Sequence, residues 1–395
     1  MTDPWERFVD GAGSRETVGY FESAGAGDRP GIAWWYGGAA DTVTLARGDG
    51  ASVARSSVER FLASHRRGAA VGYLGFDAVG LFEPALAAFP AGSPFPLGEV
   101  ALVRDVQRAA VAPRPRRPLP AVRVGRPVSD SLPRGRFGRS VRRLVEAIRA
   151  GEAFQVVLAH RRGWRRPEEL LARAAVLRAS ERYTTFYYLR FGDREVVGAS
   201  PESVAEVERR TAFVDPIAGT LPDRPLGGRR PLSADPKELC EHRMLVDLAR
   251  NDLGRISSAG SVRLLWSERR VRYARLQHLV SRVAGSLRPG TAPWDVLAAT
   301  FPAGTVSGAP KIRATELLRA EEGSWRGPYG GTVGLWLPVG RARFALAIRS
   351  AFGTGGRLYT AAGAGIVHRS TPDREFHETL AKLAVVEAAL VGEAA

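Results

Sequence analysis

Two short segments of the sequence carry paired carboxylates at helical spacing. Glu238 and Glu241 are three residues apart, as are Glu375 and Glu378, and each pair follows shortly after a proline. Residues at i and i+3 share one face of a helix, so each pair would present two carboxylates to the same side. Such oxygen ligands suit Mg²⁺. Each pair alone also fits an ordinary helix start, where acidic side chains favour the helix dipole.

Two glycine-rich segments could bind an anion through backbone N–H groups. Residues 363–366 follow a strand-like run, and residues 302–311 contain two further glycines. Successive N–H groups in such segments can form an anion site. Neither segment fits the P-loop, because no Gly-Lys-Ser/Thr follows at the required spacing. Taken alone, each segment predicts a tight turn.

The composition predicts a globular protein with a large core. The chain has 395 residues, of which 45% are apolar, and one cysteine, Cys240, which we expect to be partly buried. No apolar run of about 18 residues occurs, and the start lacks the order of a secretory signal. We therefore expect no membrane association and a cytoplasmic location.

The net charge of +16 raises the question of nucleic-acid binding. Binding of that kind needs clustered basic residues, often with aromatic side chains between them. Here the basic residues are spread along the chain, and the densest stretch, residues 114–136, is interleaved with prolines. We expect no nucleic-acid partner, and we interpret the charge as attraction for a small anionic substrate.

Hydrophobic periodicity divides the chain into three parts. Residues 1–111 predict a strand-rich lobe, residues 112–136 a proline- and arginine-rich linker, and residues 137–395 an α/β or α+β body. Within that body the pattern predicts helices from residue 137 to about 150 and at 237–250, 291–300 and 373–391, and strands at 154–158, 185–191, 334–337 and 345–348.

Five motifs follow one another along the chain: Pro216-Ile217-Ala218-Gly219-Thr220, residues 235–255, residues 301–311, residues 363–366 and residues 375–382. They closely resemble the chorismate-binding domain of anthranilate synthase component I and appear in family order across residues 137–390. Weaker resemblance extends to Tyr20-Phe21-Glu22-Ser23 and Gly72-Tyr73-Leu74. The resemblance implies an α/β fold with two central antiparallel sheets between helices.

The resemblance also implies chorismate as the substrate and Mg²⁺ as the cofactor. Glu241 and Glu378 would bind the metal directly, and Glu238 and Glu375 would act through waters. One substrate carboxylate would meet the metal and the N–H groups of residues 363–365, and the enolpyruvyl carboxylate would meet an arginine and a tyrosine. The substrate-binding set implied by the family is Gly219, Thr220, Thr305, Tyr329, Arg349, Gly363, Ala364, Gly365 and Lys382.

Three residues match positions that decide the chemistry in this family. Glu202 matches the acid that helps the C4 hydroxyl depart, and a buried carboxyl with a raised pKa could serve. Gln155 stands where water-adding members have a lysine base, and because an amide cannot deprotonate water, Gln155 favours ammonia as the nucleophile. Ala218 stands where members that aminate C4 typically have a nucleophilic lysine, which favours direct amination at C2.

His278 matches the histidine associated with pyruvate elimination, the step that yields anthranilate. Without that step the product would be 2-amino-2-deoxyisochorismate. The remaining alternatives are 4-amino-4-deoxychorismate formation and a catalytically silent chorismate-binding homologue.

Two departures from the family concern regulation and ammonia supply. Residues 181–186 lack the prolines of tryptophan-sensing members, so we expect weak or no tryptophan inhibition although Ser23 matches the effector motif. No motif of a glutamine-hydrolysing domain is present. We expect ammonia from a separate amidotransferase or from solution, and a role in tryptophan biosynthesis or secondary metabolism. Asp215, where an arginine is usual, points to the latter.

Overall fold

The structure of the protein is a computed structural model. It describes residues 3–13, 15–24, 31–37, 41–48, 51–63, 69–86, 92–103, 106–112, 117–180, 183–222, 236–273 and 276–394.

Helices and strands alternate along these residues. The α-helices run over Pro4–Ala12 (α1), Ala51–Ala63 (α2), Arg134–Arg149 (α3), Leu170–Ser180 (α4), Pro236–Gly254 (α5), Pro293–Thr300 (α6), Gly304–Ser307 (α7), Lys311–Glu322 (α8) and Pro372–Leu390 (α9). Short 3₁₀ helices cover Phe76–Leu81 and Pro84–Leu86.

The strands of the amino-terminal part are Thr17–Ser23 (β1), Gly31–Gly37 (β2), Asp41–Leu45 (β3), Ala69–Leu74 (β4), Gly98–Val103 (β5), Gln107–Val111 (β6), Val122–Arg123 (β7) and Ser129–Asp130 (β8). The central strands are Gln155–Arg165 (β9), Thr185–Phe191 (β10), Arg194–Ser200 (β11), Ser203–Glu208 (β12), Thr211–Val214 (β13), Ile217–Pro222 (β14), Arg263–Tyr273 (β15) and Leu276–Ser286 (β16). The last strands are Gly308–Ala309 (β17), Thr332–Leu337 (β18), Arg341–Leu346 (β19), Ser350–Thr354 (β20), Arg357–Ile366 (β21) and Glu393–Ala394 (β22).

Contacts divide the chain into two compact units. Unit 1 comprises residues 1–201, 302–334 and 346–395, and unit 2 comprises residues 202–301 and 335–345. The predicted boundaries at residues 111 and 136 stay a prediction.

Sheet A, which lies in unit 1, is an antiparallel sheet of ten strands. Its order is β17-β9-β21-β20-β11-β10-β1-β2-β6, and β8 pairs with β9. Helices α1, α4 and α9 bury an aromatic core against one face, in which the Trp5 ring meets Tyr20 and Phe186 edge to face at 5.0 and 5.3 Å between centroids. Edge-to-face packing of this kind adds stability beyond the apolar area that it buries.

Sheet B is the other large antiparallel sheet and also has ten strands. In unit 1, β5 pairs with β3 and β4. In unit 2 the strands follow the order β14-β16-β13-β12-β19, and β15 pairs with β16. Helix α5 packs against β14 and β16, and α6 packs against β12. The predicted α/β fold with two antiparallel sheets is confirmed.

Most predicted elements are present with shifted ends. The helix predicted from residue 137 is α3 and begins at Arg134, directly after Pro133, and the strand predicted at 154–158 is β9, which continues to Arg165. The predictions at 185–191, 237–250, 291–300 and 373–391 correspond to β10, α5, α6 and α9. The strand predicted at 345–348 is wrong in its second half, because β19 ends at Leu346.

Two smaller predictions are wrong. Residues 363–366 are the end of β21 rather than a tight turn, because their glycines serve close approach: a Cβ atom added at Gly363 would lie 2.9 Å from the Val157 side chain. Cys240 is exposed on α5 rather than partly buried. Among the residues that the structure describes, no helix is long and apolar enough to cross a membrane.

Candidate active site

The paired strands β9 and β21 carry four of the predicted site residues. β9 begins at Gln155, and the end of β21 holds Gly363, Ala364 and Gly365. Gly363 lies opposite Ala159 and Gly365 opposite Val157. The sheet therefore brings the predicted nucleophile-selecting residue and the predicted anion-binding segment onto one two-stranded ribbon.

The polar groups of Gly363 point away from β9. Its N–H group donates to the hydroxyl oxygen of Tyr329, and its carbonyl oxygen accepts a 2.8 Å hydrogen bond from Lys382 Nζ. In an antiparallel ladder, pairs with outward-pointing groups alternate with pairs that bond each other. The N–H group of Gly365 therefore also faces outward, whereas that of Ala364 points towards β9. Of the predicted segment, Gly365 therefore directs its N–H group outward, where it could face an anion, whereas the N–H group of Gly363 already donates to Tyr329.

This outward edge of β21 is open beyond its first residues. β20 pairs with β21 at residues 357–360, and no other described strand pairs with this edge. The Gln155 side chain reaches this end of the ribbon: a Cβ atom added at Gly365 would lie 2.4 Å from Gln155 Nε2. Glycine at position 365 thus leaves room for the carboxamide across the strand.

Tyr329 is buried beside this edge. Its side chain is 4% exposed, and burial raises its pKa to about 12, although Arg326 and Arg349 act in the opposite direction. The hydroxyl group therefore keeps its proton well above neutral pH. Arg349, the other predicted carboxylate ligand, is half-buried and has a φ angle of 50°, a left-handed conformation that is uncommon for arginine. Strain of this kind is often found at functional sites.

Helix α9 presents the second predicted carboxylate pair. Glu375 is buried, and burial raises its pKa, with the nearby Glu378 acting in the same direction. Glu378 is half-buried and forms a 2.7 Å ion pair with Lys382, whose ammonium also bonds Gly363. Among the described residues no group of three or more His, Cys, Asp or Glu side chains could hold a metal ion. Two carboxylates still fit Mg²⁺, which usually takes its remaining ligands from waters and substrate.

Thr305 lies in the segment that leads to β17. It belongs to α7, a single helical turn, and is half-buried. Gly308 follows with a φ angle of 130°, and a Cβ atom there would lie 2.1 Å from the Gln155 carbonyl oxygen. Only glycine allows both this conformation and the close approach to β9. The segment predicted as a tight turn is thus a short helix followed by a two-residue strand.

In unit 2, a β-bulge lies opposite His278. β14 and β16 pair at Ala218–Leu279 and again at Leu221–Gln277, so Gly219 and Thr220 together face the single residue His278. Bulges of this kind are frequent next to active sites, where they redirect a side chain. The side chains of residues 218–222, which include the predicted site residue Thr220, lie outside the described residues. His278 is half-buried.

Helix α5 carries the first predicted carboxylate pair. Glu241 is half-buried, and the side chain of Glu238 lies outside the described residues. The next residue, His242, is fully buried and lies 2.6 Å from the Ser281 hydroxyl of β16, measured from its Nε2 atom. This contact ties the start of α5 to the strand that carries His278.

Glu202 and Asp215 also lie in unit 2. Glu202 precedes β12 directly and is half-buried. Asp215, which departs from the family pattern, is held by Arg282 of β16 through bonds of 2.7 and 3.0 Å. Burial raises the pKa of Asp215, and Arg282 opposes that shift. The ion pair anchors the start of β14, four residues before the bulge at Gly219.

The comparison with known families matches nearly the whole chain. The model of the family described as "chorismate binding enzyme" matches residues 20–388. This chain belongs to the chorismate binding enzyme family.

Individual relatives agree with this family assignment. Anthranilate synthase component 1 of Neisseria meningitidis serogroup B is 42% identical over 259 residues, which are 64% of this chain and 53% of that protein. The chain thus spans about half the length of the curated relatives that it matches. Anthranilate synthase component I of Streptococcus pneumoniae TIGR4 has 27% identity and a TM-score of 0.76, covering 92% of this chain and 93% of that one.

The fold is shared more widely. The menaquinone-specific isochorismate synthase of Escherichia coli has 20% identity and a TM-score of 0.77, covering 99% of this chain and 92% of that one. At that identity the likeness concerns the fold alone. The residues that distinguish one chemistry from another therefore have to be considered individually.

Sequence reasoning missed the buried ion pair that supports β9. Glu322 and Arg326 lie behind β9, with side chains 4% and 3% exposed. Their spacing of four residues is typical of a solvent-exposed pair on a helix, so the sequence gives no sign of their burial. The glycine and tryptophan between them, Gly323 and Trp325, are the available signal, because Gly323 ends α8 in a left-handed conformation and turns the chain inward.

Proposed function

We propose that this chain catalyses the Mg²⁺-dependent amination of chorismate at C2 by ammonia, followed by loss of pyruvate to give anthranilate. The observation that carries the proposal is the position of the Gln155 carboxamide beside Gly365 of β21. A neutral carboxamide can accept a hydrogen bond from ammonia and orient it, but it cannot remove a proton from water. The 42% identity with an anthranilate synthase component 1 supports the same chemistry.

The substrate carboxylates would be held by groups of unit 1. The outward N–H group of Gly365 and the O–H group of Tyr329 are hydrogen-bond donors on the same edge, and Arg349 supplies a cation that acts on Tyr329 electrostatically. Hydrogen bonds from charged or preorganised donors to a carboxylate are the strong ones. These groups would fix the ring so that C2 faces Gln155.

Mg²⁺ would be held by Glu378 directly and by Glu375 through water. The family resemblance assigns Glu241 as a further direct ligand and Glu238 as a water-mediated one. When bound, the metal would neutralise a ring carboxylate and hold it in place. Lys382 would then release Glu378 and remain next to Gly363, where its charge still favours an anion.

The proton movements would fall to Glu202 and His278. As ammonia forms its bond to C2, the C4 hydroxyl would leave with a proton from Glu202 as water, giving 2-amino-2-deoxyisochorismate. The proton on C2 would then be removed and the C3–O bond broken, and the released enolpyruvate would take up a proton to become pyruvate. His278, opposite the bulge in β14, is the proposed acid/base or positioning group for this second step.

Ammonia would come from a separate glutamine amidotransferase or from solution. A cytoplasmic location and a place in tryptophan biosynthesis or in secondary metabolism belong to the same proposal. The departure at Asp215, which forms an ion pair with Arg282, is the feature of unit 2 that favours a specialised pathway.

The proposal is tested by incubating the protein with chorismate, Mg²⁺ and ammonium at alkaline pH and resolving the products by mass. We expect anthranilate and pyruvate in equal amounts. Accumulation of 2-amino-2-deoxyisochorismate would remove the lyase step, 4-amino-4-deoxychorismate would overturn attack at C2, and unchanged chorismate would favour a binding role. The Gln155→Lys variant is the sharpest comparison: we expect loss of amination and the appearance of the water adduct.

A further inference from the structure

The β9 strand has a stretch of edge that side chains bind in place of a neighbouring strand. Among the described strands, β17 pairs with β9 at Gln155 and Val156, and β8 pairs with it at Arg162 and Gly163. Between these points the N–H group of Ala159 donates to Glu322 Oε1 at 2.9 Å. The carbonyl oxygen of Val157 accepts a 2.7 Å hydrogen bond from Arg326 Nη2. A carboxylate and a guanidinium thus take the places of a strand's C=O and N–H groups.

The residues of β21 that pair with Ala159 and Val157 are the glycines of the candidate anion site. Ala159 lies opposite Gly363, and Val157 lies opposite Gly365. Both pairs point their polar groups outward, so the ion pair lies along one edge of the ribbon and the outward glycine groups along the other. The register and twist of the ribbon at these two pairs therefore depend on bonds made by Glu322 and Arg326.

Arg326 also fixes two further segments of the candidate site. Its Nη1 atom donates a 2.6 Å hydrogen bond to the carbonyl oxygen of Val306, the residue after Thr305. The Arg326 and Gly327 N–H groups donate to the two carboxylate oxygens of Asp77 at 3.1 and 3.2 Å, which holds the backbone two residues before Tyr329. One guanidinium and its backbone thus connect the segments of Thr305 and Tyr329 to β9.

We propose that Glu322 and Arg326 are positioning residues that hold the Gln155 end of β9, the Gly363–Gly365 edge, Thr305 and Tyr329 in one reactive geometry. The proposal rests on the function proposed above. A buried ion pair can also have a purely structural role, since removal of one partner leaves an unpaired charge in the core. The positioning role and the structural role predict different activities for a variant that still folds.

The test compares variants of this pair with variants of a matched pair. Arg178 and Glu22 form an equally buried ion pair in unit 1, with both side chains 3% exposed. Arg178 bonds Glu22, Asp3 and Tyr20, none of which is a candidate site residue. The kcat values of Arg326→Met and Arg178→Met are measured at a temperature at which circular dichroism shows that both variants are folded. We expect kcat to fall about ten- to a hundredfold in Arg326→Met and less than about twofold in Arg178→Met.

Arg326→Lys separates positioning from charge. Lysine keeps the positive charge but lacks the planar fork that reaches Glu322, Val157 and Val306 together. We expect Arg326→Lys to recover most of the unfolding midpoint lost in Arg326→Met, while kcat stays low and KM for chorismate rises. Wild-type kcat and KM in a folded Arg326→Lys variant, or an equal loss of kcat in Arg178→Met, would overturn the proposal.

A readout independent of activity separates this proposal from the proposed function. The wild type and Glu322→Gln are compared in two measurements. Hydrogen exchange is followed in peptides that cover residues 155–159 and 361–366, and the affinity for chorismate is measured by calorimetry. We expect faster exchange in both peptides and weaker chorismate binding in the variant. Unchanged exchange and affinity overturn the positioning role. A wild-type protein that binds chorismate but forms no aminated product refutes the proposed function alone.

Discussion

At the scale of single residues, the two glycines of β21 explain how a strand can serve as a binding surface. Gly363 and Gly365 direct their N–H and C=O groups to an edge that Tyr329 and Lys382 line, and neither glycine has a side chain to cover that edge. The absence of a Cβ atom at Gly365 also leaves space for the Gln155 carboxamide. A side chain at either position would collide with neighbouring groups on the sheet face, namely Val157 at Gly363 and Gln155 at Gly365.

The first prediction concerns the Tyr329 hydroxyl. Burial raises its pKa to about 12, so the group remains a hydrogen-bond donor throughout the alkaline range in which free ammonia becomes abundant. We expect Tyr329→Phe to lower kcat/KM for chorismate about ten- to a hundredfold, the value of a hydrogen bond to a charged group. The shape of the pH profile should stay the same, because Tyr329 does not ionise within it.

The measurement is kcat/KM against pH, with free ammonia held constant. Tyr359, a half-buried tyrosine of β21 that packs against Trp325 and Phe352, supplies the control variant Tyr359→Phe. An alkaline decline that is present in the wild type and absent from Tyr329→Phe would show that Tyr329 loses its proton in this range, contrary to the prediction.

Sequence reasoning identified the residues that match family motifs but not those that support them. Gln155, Tyr329 and Gly363 could be named because they stand at positions that match the family's motifs. Glu322 and Arg326 could not, because a charged pair four residues apart is usually solvent-exposed, and only the three-dimensional fold shows that this one is buried against β9. Their carbonyl and N–H partners, moreover, belong to the backbone, which leaves no trace in the residue types.

At the scale of elements, the ends of β1 and β10 form a region that is filled by the protein's own groups. The Glu22 carboxylate accepts hydrogen bonds from Tyr20 Oη at 2.5 Å, Tyr183 Oη at 2.6 Å and Arg178 Nη2 at 2.6 Å. Asp3, at the start of α1, accepts two more from Arg178. The Arg178 guanidinium of α4 thereby joins Asp3, at the start of α1, to Glu22 of β1.

The second prediction is that tryptophan inhibits weakly or not at all. An amino acid whose ammonium group bound at Glu22, next to the effector-like Ser23, would displace Arg178 and leave that buried guanidinium with Asp3 as its remaining carboxylate partner. We expect unchanged kcat and KM at micromolar tryptophan, and no heat of binding by calorimetry. Strong inhibition at that concentration would contradict both this arrangement and the interpretation of residues 181–186.

Elements with strong periodicity were predicted well, and those without it were not. The amphipathic pattern of α3 gave its position to within three residues, because Val141, Leu144, Val145 and Ile148 all face the core. The end of β21 was predicted as a turn because glycines have no side chains from which an alternating pattern could be recognised. The bulge at Gly219 and Thr220 depends on pairing with β16, a contact between distant parts of the sequence.

At the scale of the whole molecule, the net charge of +16 predicts electrostatic attraction of an anionic substrate. Salt shortens the range of such attraction, from about 30 Å at 0.01 M to about 10 Å at 0.1 M. We expect kcat/KM for chorismate to fall by up to about tenfold over this range at fixed Mg²⁺, with little change in kcat. Because free ammonia is neutral, its KM provides the control and should not change. A salt-independent kcat/KM would show that the charge has no role in substrate capture.

The strand order of sheet A determines when its strands can pair during synthesis. β21 pairs with β9 along ten residues and with β20 on its other side, yet it is the last of the sheet's strands to be made. Until residue 366 has left the ribosome, the apolar residues of β9, such as Val156 and Leu158, lack their main pairing strand. Unit 2 consists largely of the continuous segment 202–301, so most of its strands emerge together. Long-range pairing of this kind folds slowly and exposes strand edges, so we expect the nascent chain to be prone to aggregation until β21 is made.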